Sequence, residues 1–112
     1  MQVLFKKKAL QKRCSSEKAR VKCWGKATAK KLGRRLDDLG AASCLEDMRH
    51  LPGRCHELKG DLGGFLAIDL VGVQRLILEP ADEPIPRKDD GGLDWSQVFR
   101  VWVVRIEEDY HG

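Results

Sequence analysis

Apolar residues recur at helical spacing in the first half of the chain and alternate as in strands in the second. The clearest helix is predicted from Ala27 to Ala42, because apolar positions three and four residues apart form one stripe along it. The residues of this stripe are Ala29, Leu32, Leu36 and Leu39. Gly33 weakens the helix by about 1 kcal/mol relative to Ala. Packing must therefore stabilise this segment, and Gly40 marks its end.

Shorter elements are predicted before this helix. Lys7 to Cys14 has no helix breaker and predicts a short helix. Ser15 and Ser16 interrupt it, and either could cap a further turn from Glu17 to Cys23. Val3 to Phe5 is apolar and predicts either an edge strand or a lead into the first helix.

Strands are predicted for most of the second half, at Cys55 to Leu58, Phe65 to Leu70, Val73 to Glu79 and Val98 to about Glu108. Gly60 to Gly64 is a predicted turn, and the two middle strands form a hairpin at Gly72. The stretch from Pro80 to Trp95 is rich in proline, glycine and carboxylates, which predicts an exposed loop that cannot pair inside a sheet.

Alternation along the final strand predicts two faces. The core face is expected to hold Val98, Trp102, Val104 and Ile106. The other face is expected to hold Arg105, Glu107, Asp109 and His111. Helices followed by antiparallel strands predict an α+β fold, with the helices packed on one face of a small sheet and the other face left open.

The length of 112 residues predicts a single domain. No apolar run approaches the roughly 18 to 20 residues of a membrane span, and the first residues lack the apolar stretch of a secretory signal, so we expect a cytoplasmic protein. The four cysteines are widely spaced without a CxxC pair, which predicts reduced thiols rather than a metal site. They are Cys14, Cys23, Cys44 and Cys55.

Charge is divided unevenly along the chain. Residues 1–50 hold 14 Lys+Arg and 5 Asp+Glu, a net +9, whereas residues 51–112 hold 7 and 12, a net −5. A basic half of this kind predicts either contact with a polyanion, such as nucleic acid or an acidic protein, or a solvated helix surface.

Reactive side chains concentrate at three places: the segment His56-Glu57-Leu58-Lys59-Gly60-Asp61, Arg75, and the segment Asp109-Tyr110-His111. Each has an ordinary structural explanation when taken alone, and none is a generic catalytic motif. In this order and setting, however, LPGRCHELKGDLGGFLAIDL, VQRLILEP and the closing EDYHG resemble the HigB-type killer toxins of the RelE/ParE toxin–antitoxin superfamily.

The resemblance spans essentially the whole chain and implies a RelE-like fold. It implies a ribosome-dependent endoribonuclease that cleaves translated mRNA without a metal or cofactor, by attack of the ribose 2′-hydroxyl on the adjacent phosphorus. It also implies inhibition by a HigA-type helix-turn-helix antitoxin, and a toxin–antitoxin complex able to bind operator DNA. Six positions correspond to the family's active site: His56, Lys59, Arg75, Asp109, Tyr110 and His111.

Metal-free RNA cleavage needs proton transfer and cations against the developing phosphorane charge. His56 and His111 suit the acid and base roles because imidazole exchanges protons near neutral pH. Lys59 and Arg75 would stabilise charge. Tyr110 would stack on a base, and Asp109 would orient His111 or Lys59.

The basic half is expected to meet ribosomal RNA phosphates through Lys6, Lys7, Lys8, Lys12, Arg13, Lys30, Lys31, Arg34 and Arg35. Two features depart from the family pattern: Val71 stands where an Arg is frequent, and the loop from Pro80 to Trp95 is long and acidic. Two alternatives stay open, and these departures favour the second of them. One is a gyrase poison of the ParE kind, which lacks the acid/base cluster, and the other is a non-catalytic module that binds an antitoxin or nucleic acid.

Overall fold

A five-stranded sheet organises the chain, and the computed structural model describes residues 1–108 of it. The strands are β1 (Gln2–Phe5), β2 (His56–Glu57), β3 (Leu66–Asp69), β4 (Arg75–Pro80) and β5 (Arg100–Glu107). Their order across the sheet is β1-β5-β4-β3-β2. β1 runs parallel to β5 and all other neighbours are antiparallel. The segment from Val3 to Phe5 is thus part of an edge strand, and the predicted hairpin is formed by β3 and β4.

Three helices lie between β1 and β2 in the chain: α1 (Lys8–Cys14), α2 (Glu17–Trp24) and α3 (Lys26–Ala41). Ser16 caps α2, since its hydroxyl accepts a hydrogen bond of 3.1 Å from the amide of Ala19. Short 3₁₀ helices follow at Leu45–His50, Gly60–Leu62 and Trp95–Gln97. The predicted α+β fold, with amino-terminal helices packed against a mostly antiparallel sheet, is confirmed. None of the helices in residues 1–108 is long and apolar enough to cross a membrane.

The core lies between the helices and one face of the sheet. Two rows of paired residues cross β3, β4 and β5 on this face: Leu66, Leu78 and Val103 in one, and Ile68, Leu76 and Ile106 in the other. Leu32 and Leu39 of α3 pack against them and are fully buried. Apolar burial of this kind contributes about 25 cal/mol per Å², so packing on this side of the sheet is a large contribution to the fold's stability.

The predicted faces of the last strand are partly wrong. Leu78 pairs with Val103 and Ile77 pairs with Arg105, so Val104 is an extra residue in a β-bulge. Val101 and Val103 face the core, whereas Trp102 pairs with Glu79 on the opposite face. The bulge shifts the alternation by one residue, which turns Arg105 away from the core and returns Ile106 to it.

The loop from Pro80 to Trp95 is exposed only in its middle. Pro80 is the last residue of β4 and pairs with Val101, so the expectation that this segment stays out of the sheet is wrong at its first residue. A proline is tolerated there because it ends the strand. Leu93 and Trp95 are buried in the core, whereas the carboxylates Asp89 and Asp90 are exposed. The acidic middle of the loop is therefore anchored on one side by the end of β4 and on the other by residues buried in the core.

Candidate functional site

The sheet face opposite the helices carries a cluster of charged residues, and we call it the polar face. Three rows of paired residues define it: Asp69, Arg75 and Glu107; His56, Ala67, Ile77 and Arg105; and Glu79, Trp102 and Leu4. Ala67 and Ile77 at its centre are fully buried. Around them lie ionisable and amphipathic side chains, which distinguishes this face from the apolar rows beneath the helices.

Cations on the polar face meet carboxylates. Arg75 and Arg105 each lie 3.5 Å from Glu107, and they approach different oxygens of its carboxylate. Arg54, just before β2, pairs with Asp69 at 2.9 Å.

Lys6, just after β1, extends the same pattern to the far edge of the face. It pairs with Glu79 at 2.8 Å. Its ammonium also lies 4.8 Å from the ring centroid of Trp102, within the range of a cation–π contact. The positive charges of the face are therefore largely offset by carboxylates in the absence of a ligand.

His56 is held in one orientation by the backbone. Its Nδ1 lies 2.7 Å from the carbonyl oxygen of Arg54. Because a carbonyl can only accept, Nδ1 must carry the hydrogen of this bond. Nε2 is then the ring atom that takes up or gives up a proton. The half-buried imidazole is thus arranged for acid–base chemistry at a defined atom.

An unusual turn places the carbonyl that orients His56. Gly53 and Arg54 both have positive φ, of 107° and 52°. The carbonyl of Gly53 accepts a 2.7 Å hydrogen bond from the amide of Asp69, which ties the turn to β3. A Cβ at Gly53 would lie 2.6 Å from Cγ2 of Ile68 and 2.8 Å from Nε of Arg35, so glycine is required by both conformation and space.

The structure brings two of the six predicted active-site residues onto one face. His56 on β2 and Arg75 on β4 lie in adjacent rows, with backbones about 12 Å apart from standard strand spacings. Their side chains can therefore contact the same ligand on this face. Lys59 is exposed beyond the end of β2 and forms no hydrogen bond or ion pair within residues 1–108.

The other three predicted residues, Asp109, Tyr110 and His111, lie outside the described residues. Val71, at the position where an Arg is frequent in the resembled family, is an exposed residue of the turn between β3 and β4.

Sequence reasoning did not assign a role in the site to Arg54, Arg105, Glu107 or Trp102. Alternation had placed Arg105 and Glu107 away from the core, and the pairing of β4 with β5 confirms that placement. What the sequence lacked was the register, which sets Glu107 opposite Arg75 and Arg105 opposite Ile77. Trp102 was missed because it had been placed in the core.

The predicted basic surface is mostly exposed, with one exception. Arg35 is only 7% exposed, so the prediction that it faces solvent or a partner is wrong. Its side chain packs beside Gly53, and its guanidinium lies 3.7 Å from Asp38.

The remaining residues of that prediction are exposed: Lys6, Lys7, Lys8, Lys12, Arg13, Lys30, Lys31 and Arg34. Lys18, Lys22 and Lys26 are exposed cations of α2 and α3 that the prediction left out, although their spacing of four residues continues to Lys30. Because the helices cover one side of the sheet, the basic surface of α2 and α3 and the polar face point in different directions.

The buried cysteines are poor nucleophiles. Burial raises the pKa of the Cys55 thiol to about 12 and that of Cys14 to about 11. Both are therefore neutral thiols at physiological pH. All four cysteines are free, and Cys23 is exposed. Within the described part of the chain, no group of three or more His, Cys, Asp or Glu side chains could hold a metal ion.

The sequence matches no protein-family model, and no curated protein is significantly similar to it. A functional proposal for this chain accordingly depends on its own side chains and their arrangement. On the polar face these are an oriented imidazole, three arginines and, at the far edge, Lys6, a set suited to an anionic ligand and to proton transfer.

Proposed function

We propose that this protein is a ribosome-dependent endoribonuclease that cleaves translated mRNA, the toxin of a type II toxin–antitoxin pair. The observation that supports this function best is the placement of His56, with its Nε2 as the proton-exchanging atom, on the same sheet face as Arg75. An oriented imidazole and a guanidinium are what phosphodiester cleavage needs when the ribose supplies the nucleophile.

In the proposed reaction the 2′-hydroxyl oxygen attacks the neighbouring phosphorus, the bond from phosphorus to the 5′-oxygen breaks, and a 2′,3′-cyclic phosphate forms. One group removes the 2′-hydroxyl proton and another protonates the leaving 5′-oxygen. His56 performs one of these transfers, and His111 performs the other by the sequence resemblance. Arg75 stabilises the phosphorane charge with its planar fork, and Lys59 adds a second cation.

The remaining roles in this proposal come from the sequence resemblance. Tyr110 stacks on an unpaired base and Asp109 orients His111 or Lys59. Because carboxylates offset most cations of the polar face, free RNA binds weakly to it. The ribosome supplies the positioning of the codon, an effect worth several kcal/mol. The exposed cations of the helices contact ribosomal RNA with salt-dependent affinity.

A HigA-type helix-turn-helix antitoxin is the proposed inhibitor. A short reading frame for such a protein beside this gene would support the pairing, and its co-expression should restore growth. The pair could then also be tested for binding to its own operator DNA.

Controlled expression in a bacterium tests the function, with growth, translation and mRNA 5′ ends followed together. Growth arrest with new codon-phased 5′ ends is expected, and it should disappear in His56→Ala and in His111→Ala. His50→Ala is the matched control, because His50 is an exposed histidine of the 3₁₀ helix Leu45–His50, which packs into the core through Leu45 and Met48. Arrest with intact mRNA and a DNA-damage response would instead identify a gyrase poison.

One observation favours a second candidate, a non-catalytic module that binds an antitoxin or nucleic acid. Arg54, Arg75 and Arg105 all have carboxylate partners on the polar face, a pattern also expected of a surface that has lost its substrate. This candidate predicts that expression leaves growth and mRNA unchanged, while an antitoxin or RNA still binds the purified protein.

A further inference from the structure

One carboxylate lies between two arginines in the middle of the polar face. Glu107 on β5 faces Arg75 across the β4–β5 ladder, and Arg105 is two residues before it on the same strand. The Nη2 atoms of Arg75 and Arg105 each lie 3.5 Å from a Glu107 oxygen, Oε1 and Oε2 respectively. Two guanidinium groups from neighbouring strands thus converge on one anionic group.

The carboxylate is a poor fit to this position. Strong pairs between guanidinium and carboxylate have distances of about 2.7 to 2.9 Å, and both contacts here are longer. Oε2 of Glu107 is buried and accepts no hydrogen bond within the described chain. The side chain is only 16% exposed, so water does not readily replace the missing bonds. The contacts of Glu107 with the two arginines are therefore weak ones.

The β-bulge is what creates this arrangement. If the strand were regular, with Val104 paired opposite Ile77, Arg105 would follow Val101 and Val103 onto the core side. With the bulge, Arg105 lies in the same row as His56, separated by Ala67 and Ile77. Arg75 and Arg105 consequently lie on the same face as the imidazole proposed to transfer protons, two and three strands away from it.

We propose that Arg75 and Arg105 form a binding subsite for a backbone phosphate of single-stranded RNA, and that Glu107 occupies this subsite until RNA displaces it. The proposal rests on the function proposed above and adds Arg105 as a substrate-binding residue and Glu107 as a competing internal anion. A phosphodiester offers two non-bridging oxygens, which share its negative charge, to two guanidinium forks, whereas Glu107 is constrained by its own strand. On binding, the Glu107 carboxylate moves into solvent.

The test is binding of a fluorescent 2′-O-methyl RNA oligomer, which has no 2′-hydroxyl and cannot be cleaved by the proposed reaction. Fluorescence anisotropy at low salt gives the affinity of each variant. Glu107→Gln keeps the side-chain shape and removes the competing charge, so it should bind the oligomer about tenfold more tightly, a difference of about 1.4 kcal/mol. Its affinity should also fall more steeply with salt, because an additional phosphate contact is formed.

Matched variants separate this effect from a general change in charge. Glu108→Gln changes the net charge equally at an exposed neighbouring residue that forms no ion pair in residues 1–108, and it should shift the affinity much less. Arg105→Gln should weaken binding, and Arg105→Lys should fall between it and the parent protein because it retains only the point charge. Thermal unfolding followed by circular dichroism shows whether each variant is folded.

Equal binding by Glu107→Gln and Glu108→Gln would overturn the proposal, as would unchanged binding by a folded Arg105→Gln. If Glu107→Gln does not fold, the two Arg105 variants decide the question. The subsite and the proposed function are tested by separate measurements. If the subsite is absent, expression of the parent protein and of His56→Ala in cells still tests mRNA cleavage. If no mRNA is cleaved, the oligomer affinities of the Glu107 and Arg105 variants still test the subsite.

Discussion

The two faces of the sheet are equally buried at their centres but differ in chemistry. Under the helices, Leu76 and Leu78 of β4 lie in apolar rows. On the polar face, Ile77 between them is also fully buried, yet its neighbours in the adjacent rows include Arg75 and Glu79. Alternate residues of β4 therefore contribute to two different surfaces of the sheet. One face supplies packing free energy, and the other holds charged groups in ion pairs.

Truncation of adjacent core residues should show the largest effects and tests this division directly. Leu78→Ala should reduce the free energy of unfolding by about 2 to 5 kcal/mol, because closely packed apolar neighbours leave a cavity. Ile77→Ala should cost less, about 1 to 3 kcal/mol, since long charged side chains and water can fill the space. Urea denaturation measures both. Equal losses would mean that the two faces are packed alike.

Substitution of Gly53, in the turn before β2, should give the next largest effect. Gly53→Ala should destabilise the protein by about 2 to 4 kcal/mol, because a positive φ and contacts with Ile68 and Arg35 oppose the new methyl group. Gly40→Ala is the matched control in α3, where a Cβ meets no atom within 4 Å, and it should be neutral or slightly stabilising. A stable Gly53→Ala variant would show that the turn adapts, and His56 should then be examined for altered orientation.

Helical periodicity predicted α3, whereas the absence of helix breakers and the capping serines predicted α1 and α2, because local spacing and capping decide such elements. Predicted strand positions were also close to the observed ones. The facing of β5 was not predictable, since residues 101–104 are all apolar and alternation alone does not show which pair faces the core. The bulge at Val104 depends on pairing with β4, and the burial of Arg35 depends on its contact with Gly53; both are tertiary effects.

For the site, residue types identified His56 and Arg75 as candidates, and the sheet register places them on one face. The ion-pair partners of these residues could not be inferred from residue types. Nothing local to Arg105 indicates that it shares a carboxylate with Arg75, which is 30 positions away in the chain. Contacts of this kind require the register of the strands, whereas candidate chemistry can be inferred from side-chain identity.

The free energy of unfolding should depend on pH through two thiols that are buried in the core. Burial raises the pKa values of the Cys14 and Cys55 thiols from the ordinary value of 9.0 to about 11 and about 12. Above pH 9 the unfolded chain loses these protons while the folded chain keeps them, so stability should fall as the pH rises from about 9 to 12. Below pH 9 this contribution should be constant.

The variant Cys14→Ala/Cys55→Ala provides the comparison. The difference in unfolding free energy between the parent protein and this variant should shrink as the pH rises above 9. Alkylation of the native protein at neutral pH should modify the exposed Cys23 well before the two buried thiols. A difference that stays constant with pH would indicate that the thiols ionise equally in the folded and unfolded chains.

The smallest effect is expected at the solvated rim of the polar face. Arg54 pairs with Asp69 at 2.9 Å, but its side chain is 73% exposed, so Arg54→Gln should lower the unfolding free energy by less than about 1 kcal/mol. Arg54→Asn should cost still less, because Asn tolerates the positive φ at this position better than other side chains do. Urea denaturation at low and high salt measures both variants, and the loss in Arg54→Gln should diminish as salt screens the pair. A loss comparable to that of Leu78→Ala would contradict the division between the faces, because it would place a main source of stability on the polar one.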